Sequence, residues 1–218
     1  MLLQWFGHSS FLIISGSGTK IIMDPYEPGG FGGTFKYGRI QIAPDIVTVS
    51  HSHADHAFVE GLPGRFEVVS RTGSYNIKGI PIKGIESFHD AQYGDVRGKN
   101  IIFSVTVDKI RIAHLGDIGH QPSQPELEQL GEVDILLIPV GGHYTIGPEE
   151  ADRVIERINP KIAIPMHFKT DKVEFPLGPL EDFTNGKTNV KFLGKSEFEI
   201  IKEQLPDSTE IWVLKNAL

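Results

Sequence analysis

Apolar and polar positions along the chain switch between two rhythms. The first half alternates in short runs: Leu2 to Phe6, Phe11 to Ile14 and Lys20 to Met23 read as strands, with a turn at Ser15-Gly16-Ser17-Gly18 and a stop at Asp24-Pro25. Further strands are predicted over Asp45 to Ser50, Phe66 to Ser70, Ile77 to Ser87 with a break at Gly84, Asn100 to Val107 and Lys109 to Ala113. Between them, Glu27 to Pro44 mixes Gly29, Gly30, Gly32, Gly33 and Gly38 with Phe31, Phe35 and Tyr37, which reads as a long surface connection, or alternatively as a flap over a substrate.

The second half moves to a helical period. Ser123-Gln124-Pro125-Glu126 is a capping box that opens a short helix to Leu130, and Asp134 to Pro139 is a buried strand. Gly147-Pro148 opens a second helix with Ala151, Val154, Ile155 and Ile158 on one face, ended by Asn159-Pro160. Lys161 to Pro165 is again a strand, and two successive strand, helix, strand units imply parallel pairing. Beyond Phe168 the pattern predicts a helix near Pro179 to Phe183, a strand at Val190 to Leu193, a helix near Glu197 to Gln204 and a strand at Glu210 to Leu214. No repeat or linker divides the chain, so residues 1–218 are expected to form one domain of mixed α/β class.

Composition narrows the function classes. Of 218 residues 39% are hydrophobic and 22% charged, an ordinary globular balance. With 21 basic against 28 acidic residues the net charge is −7, which argues against a nucleic-acid partner. No run of 18 apolar residues exists, and the opening stretch has no basic start and carries Gln4 and His8, so no membrane span or signal peptide is predicted and a cytoplasmic location is expected. The absence of cysteine removes disulfides, thiolate nucleophiles and cysteine metal sites together.

The nine histidines carry the chemistry. His51, His53 and His56 follow one predicted strand, His89 a second, His114 and Asp117 a third, His143 a fourth and His167 a fifth. Groups leaving the C-terminal ends of several strands converge on one sheet edge. The sharpest motif is His51-Ser52-His53-Ala54-Asp55-His56, an HxHxDH pattern whose imidazole nitrogens and carboxylate oxygens are suited to a zinc-like ion. The plainer reading is a solvated, histidine-rich turn.

HxHxDH, a later lone histidine, an aspartate in a Gly-Asp pair and a final histidine together resemble the metallo-β-lactamase superfamily. Gly7-His8-Ser9-Ser10-Phe11, Met23-Asp24-Pro25, Leu115-Gly116-Asp117, Ile138-Pro139-Val140-Gly141-Gly142 and Ile164-Pro165-Met166-His167-Phe168 extend the likeness over nearly the whole chain, toward the small single-domain branch that includes sugar-lactone hydrolases. The resemblance implies a four-layer αββα sandwich with mixed sheets and a binuclear metal-dependent hydrolase. It implies that His51, His53 and His89 hold one ion, that Asp55, His56 and His167 hold the other, and that Asp117 bridges them. His89 and His114 compete for one ligand position, and His8 and His120 have no assigned role. Asp24 is expected to accept hydrogen bonds from the backbone or from a histidine of the HxHxDH loop.

Two such ions share a bridging water that becomes a hydroxide near neutral pH, and they polarise a carbonyl or phosphoryl oxygen. Asp55 and Asp117 would orient that water or take its proton. His143, on the Gly141-Gly142 loop, is a candidate for polarising the substrate or protonating a leaving group, or is a plain loop residue. Zinc is the first expectation for the ions, with manganese, iron or nickel compatible. The substrate is expected to be a small, anionic lactone, ester or phosphodiester; Lys83, Arg97, Lys169 and Lys172 could hold its anion or stand as solvated charges.

Departures from other branches of the family restrict the choice. His53 stands where di-iron oxygen-reducing members carry glutamate, and Asp117 where zinc β-lactamases carry cysteine. Little chain remains for the helical domain of the glyoxalase II relatives. The alternative activity is a mononuclear iron dioxygenase acting on a thiol or persulfide, because related dioxygenases keep the same histidines and aspartates. A homo-oligomer is compatible with the sequence.

Overall fold

Alternation in the opening strands buries both faces of one sheet. In β1 (Leu2–Gly7), β2 (Ser10–Ile14) and β3 (Lys20–Met23), one face carries Leu3, Trp5, Phe11, Ile13, Ile21 and Met23 into the main core. The opposite face, with Phe6, Leu12 and Ile22, joins a smaller cluster with Tyr26, Phe35, Tyr37 and Ile40. The computed structural model describes all 218 residues. It adds β4 (Ile46–Thr48), β5 (Glu67–Val69) and β13 (Glu197–Glu199) to complete a six-stranded mixed sheet in the order β13-β1-β2-β3-β4-β5. Only the β3-β4 and β4-β5 pairs are parallel.

The second sheet has eight strands. Its antiparallel half is β6 (Gly73–Ile77), β7 (Ile80–Phe88), β8 (Lys99–Val107) and β9 (Ile110–His114). Its parallel half continues through β10 (Ile135–Pro139), β11 (Ile162–Met166), β14 (Glu210–Val213) and β12 (Val190–Phe192). Helix α1 (Gln124–Leu130) links β9 to β10, and α2 (Pro148–Ile158) links β10 to β11, so the two crossovers expected from the helical rhythm produce the parallel pairing expected of them. The Ser123 hydroxyl accepts from the Glu126 amide while the Glu126 carboxylate accepts from the Ser123 amide at 2.6 Å, closing the capping box. Ala151, Val154 and Ile155 of α2 are buried, and Asn159 ends the helix in the left-handed conformation. A short α3 (Leu180–Thr184) packs against α2. The inner faces of the two sheets enclose one apolar core, the α/β sandwich expected.

Four local expectations are corrected. Glu197 to Gln204 is not a helix: Glu197, Phe198 and Glu199 alternate, Phe198 enters the core opposite Leu3, and only a 3-10 turn over Lys202–Gln204 follows. The run alternates with period 2, and edge pairing with β1 decides it. Gly84 does not interrupt its strand, because it pairs with both Gly73 and Phe103; a Cβ there would lie 2.6 Å from the Arg71 carbonyl, so glycine permits close approach of the chain. Strand β6 was not expected, since Gly73, Ser74 and Asn76 carry no apolar signal; the turn at Lys78-Gly79, with φ of 51° and 79°, brings it back along β7. The Gly-rich segment 27–44 is not simply an exposed connection. Phe35, Tyr37 and Ile40 are buried and, with Val173 and Leu177, cover the outer face of the first sheet, while Phe31 stays 46% exposed.

Leu137 is fully buried at the centre of β10, between β9 and β11. Leu137→Ala is expected to cost about 2–5 kcal/mol, read as a lower urea midpoint at unchanged m-value.

Candidate metal centre

Segments following β3, β4, β7, β9 and β11 meet at one edge of the sandwich, joined by the β1-β2 turn that carries His8. Their approach depends on bare backbone. A Cβ on Gly119 would lie 2.5 Å from the His89 carbonyl, and one on Gly141 would lie 2.2 Å from the His167 carbonyl oxygen. His8, Asp24 and His167 adopt φ of 52°, 46° and 52°, a left-handed backbone that non-glycine residues adopt at a cost. The His167 amide donates to the His8 carbonyl at 3.1 Å, tying the two loops together.

The residues expected as ligands are brought together. Ligand atoms of His51, His53 and His89 form one group within 4.8 Å, and those of His8, Asp55, His56 and His167 form another. Asp117 lies between them. Its Oδ2 is 3.2 Å from His89 Nε2 and 3.2 Å from His167 Nε2, and its Oδ1 is 3.2 Å from His56 Nε2. Two donors on one tetrahedral ion at about 2.0–2.2 Å lie about 3.3–3.6 Å apart, so these spacings come close to those around a shared cation. Buried His56 Nε2 and Asp117 Oδ1 have no hydrogen-bond partner, leaving lone-pair positions directed at the same space. The donor set is nitrogen and carboxylate oxygen throughout, which suits a divalent cation.

A surrounding network orients these groups. Asp24 accepts from the Ser50 amide at 2.8 Å, from the Ser50 hydroxyl at 2.5 Å and from His56 Nδ1 at 2.9 Å, as expected of that aspartate. His56 thereby presents Nε2 to the centre. The Asp117 amide donates to Asn100 Oδ1 at 3.0 Å, and Asn100 Nδ2 donates to Ser87 Oγ and the Leu115 carbonyl. His114 takes no place among the donors. Its Nδ1 accepts from the Gly116 amide at 3.0 Å and its Nε2 donates to the Ser9 carbonyl at 2.8 Å, so both nitrogens are used, whereas His89 Nε2 faces Asp117 among the possible donors. His120 is likewise occupied, accepting from the Phe88 amide and donating to the Gln121 carbonyl.

Burial sets the protonation pattern. Desolvation, reinforced by neighbouring imidazoles, holds His8 down at about 4 and His51 at about 3, and it lowers His53 and His114 as well. These rings are neutral at pH 7 and keep a lone pair. Against their own desolvation, Asp55 and Asp117 are held below the ordinary carboxylate range by the histidines around them, His56 foremost for Asp55 and His167 for Asp117. His56 is the exception: despite burial, the Asp117 and Asp55 carboxylates raise it.

A cavity of 630 Å³ opens over the donors. His53, Asp55, His89, Asp117 and His167 line its base, and Phe31, Val96, Arg97, Tyr144 and Phe175 line its upper walls. His143 is not brought to it: the imidazole is exposed and packs on Tyr144, while its carbonyl accepts from Arg97 Nη2 at 3.0 Å. Of the four candidate anion-binding residues, Arg97 lines the cavity; Lys83 and Lys169 donate to the carbonyls of Gln129 and Phe175. Sequence reasoning left His8 without a role, yet His8 Nε2 donates to Asp55 Oδ2 at 3.1 Å and its ring lies 4.1 Å from that of His167. The Gly7-His8-Ser9 break between two apolar strands was the available signal.

A family model described as the beta-lactamase superfamily domain matches residues 2–167, and the chain belongs to that superfamily. A crystal structure of a metallo-beta-lactamase superfamily protein from Thermotoga maritima superposes with a TM-score of 0.80 at 36% identity, covering 98% of this chain and 97% of the other. Two curated relatives are named metal-dependent hydrolases. The one from Archaeoglobus fulgidus is 29% identical over 211 residues, 81% of this chain and 85% of its own; the one from Thermococcus onnurineus is 26% identical over 192 residues, 77% and 84%. No helix is long and apolar enough to cross a membrane.

Two outcomes test the supporting network. Asp24→Asn is expected to weaken metal binding about 10–100-fold, measured by competition with a chromophoric chelator, because His56 loses its orienting acceptor. Asp90 accepts the amides of Gln92, Gly94, Val96 and Arg97. Against its desolvation, these four donors lower it from 3.8 to about 2, so its hold on the 90–97 loop is complete above pH 3.8 and lost as the pH falls through about 2. Hydrogen exchange at Gly94 and Arg97 is expected to quicken in Asp90→Ala at pH 7, and an unchanged rate would show that the carboxylate does not order the loop.

Proposed function

We propose that residues 1–218 form one catalytic unit, a binuclear metal-dependent hydrolase acting on a small anionic lactone, ester or phosphodiester. The chain is a metal-dependent hydrolase of the metallo-β-lactamase superfamily, and the two named relatives carry the same description. The observation that carries the binuclear reading is the position of Asp117: one buried carboxylate faces His89 of one donor group and both His56 and His167 of the other. In this reading His51, His53 and His89 hold one ion, Asp55, His56 and His167 the second, and Asp117 spans the two. Zinc is the first candidate, in line with the zinc dependence suggested for the Thermotoga protein, and manganese, iron and nickel accept the same donors.

Ions held there would supply a water acidified to a pKa of about 7 and an electrophile for a carbonyl or phosphoryl oxygen. The chain's own residues do the rest. Ionised Asp55 and Asp117 would stand beside a water held there and could take its proton as it attacks the substrate. His8 donates to Asp55 Oδ2, which fixes that carboxylate's rotation. The cavity walls, with Arg97 at the rim, admit a substrate from solvent over the donors. His143 is exposed and outside the lining, so this reading gives it no part in proton transfer. The number of donors, more than one ion needs and gathered in overlapping groups around His51 and His56, favours this reading over a mononuclear iron dioxygenase of thiols or persulfides.

Elemental analysis of protein purified without chelator is expected to find close to two divalent ions per chain. Hydrolysis of a lactone, ester and phosphodiester panel is expected to fall by about 10²-fold or more in Asp117→Asn and His51→Ala. One tightly held iron with oxygen uptake would replace the proposal by the dioxygenase reading.

A further inference from the structure

The upper part of the cavity is built for more than admission. Arg97 is the only lysine or arginine that lines it. Its amide is fixed to Asp90 at 2.8 Å, its Nη2 donates to the His143 carbonyl at 3.0 Å, and its guanidinium carbon stands 5.7 Å from the Tyr144 ring centroid. These partners at the guanidinium are uncharged, so the positive charge is aimed but not neutralised. In a chain of net charge −7 such a group at the rim is a local attraction for an anion.

From Arg97 a row of aromatic side chains runs along the wall. Tyr144 meets Phe175 edge to face at 6.2 Å, and Phe175 meets Phe31 edge to face at 5.0 Å. The three come from the β10-α2 loop, the segment after β11 and the Gly-rich 27–44 segment, which are far apart in sequence. Phe31 keeps 46% of its surface open to solvent at the end of this row, an apolar area that a ligand can cover. The base of the cavity is polar and the wall is apolar, with one cation at the end of the wall nearer the His89 loop.

We infer that the substrate carries two recognition groups besides its reacting bond: a carboxylate or phosphate held by Arg97, and a flat apolar group lying against Tyr144, Phe175 and Phe31. The inference rests on the hydrolase reading for the reacting bond but not for the binding of these two groups. A 630 Å³ space accommodates all three parts, whereas a short-chain ester would leave the aromatic wall bare. Arg97 and the wall are then specificity-determining, and the donors at the base are not.

Calorimetry on the metal-loaded protein tests this with four non-hydrolysable probes: 3-phenylpropionate, propionate, phenylphosphonate and methylphosphonate. Each phenyl compound is expected to bind about tenfold more tightly than its alkyl partner, and Arg97→Met to weaken both phenyl anions by about tenfold. Comparison of the two pairs tells carboxylate from phosphate. Phe175→Ala, and independently Phe31→Ala at the exposed end of the row, should reduce the phenyl advantage to about threefold or less, with melting temperature recorded for each variant. Equal binding of phenyl and alkyl probes, or unaltered anion binding in a folded Arg97→Met, overturns the inference. If the probes bind as expected while the lactone, ester and phosphodiester panel is untouched, the hydrolase reading fails and the two binding groups stand. If the panel is hydrolysed while the variants discriminate no probe, the reverse holds.

Discussion

A buried carboxylate surrounded by imidazoles governs this structure. Asp117 is 2% exposed, and three histidine nitrogens lie 3.2 Å from its oxygens. Burial in low dielectric holds His8, His51 and His53 in the neutral form, while His167 and His56 hold Asp117, and His56 and His8 hold Asp55, below the ordinary carboxylate range. The result is a pocket of lone pairs and negative charge, which is costly without a cation and favourable around one. His56 shows the tension directly: between Asp24, Asp55 and Asp117 it is driven toward the charged form although fully buried.

The sandwich exists in a form that can bear this cost. Strands with fully apolar interiors, such as β10 and β11, hold their ends rigid while polar loops gather beyond them. Those loops meet by unusual local means. Glycine backbone at positions 119 and 141 lets the Asp117 and Gly141 loops touch the His89 and His167 turns, and left-handed His8, Asp24 and His167 turn the chain where a strand would otherwise continue. The first sheet is covered on its outer side by irregular chain rich in aromatics, and that covering ends in Phe31 at the cavity wall. Core packing and substrate wall are therefore continuous.

The two levels of the cavity have different physical characters. The base is a set of fixed polar donors that decides the reaction class. The wall combines apolar area with one guanidinium that has no carboxylate partner, a combination that discriminates among ligands by surface and charge. Loops supply both, and the wall in particular draws on segments without periodic pattern.

Much of this was legible in the residues. Period 2 in the first half and period 3.6 around Ala151 to Ile158 reflect which side of each element faces the core, and burial obeys that pattern in β1 to β3 and in α2. The HxHxDH run was legible because ligands closely spaced in sequence must be neighbours in space. The roles of His8, His114 and His143 were not, because each sits in a loop and only long-range contacts distinguish them: His8 meets Asp55 across 47 residues, His114 spends both nitrogens on backbone, and His143 turns outward. The Gly-rich segment and the Glu197 to Gln204 run were misread for the same reason, since local composition records propensity whereas burial of Phe35 and Phe198 depends on the sheet that they meet. Sequence by itself determined the periodic elements and the donor types, because these depend on neighbours a few residues away. Tertiary structure alone decided which donors converge and what lines the space above them, because contacts across the whole chain set both.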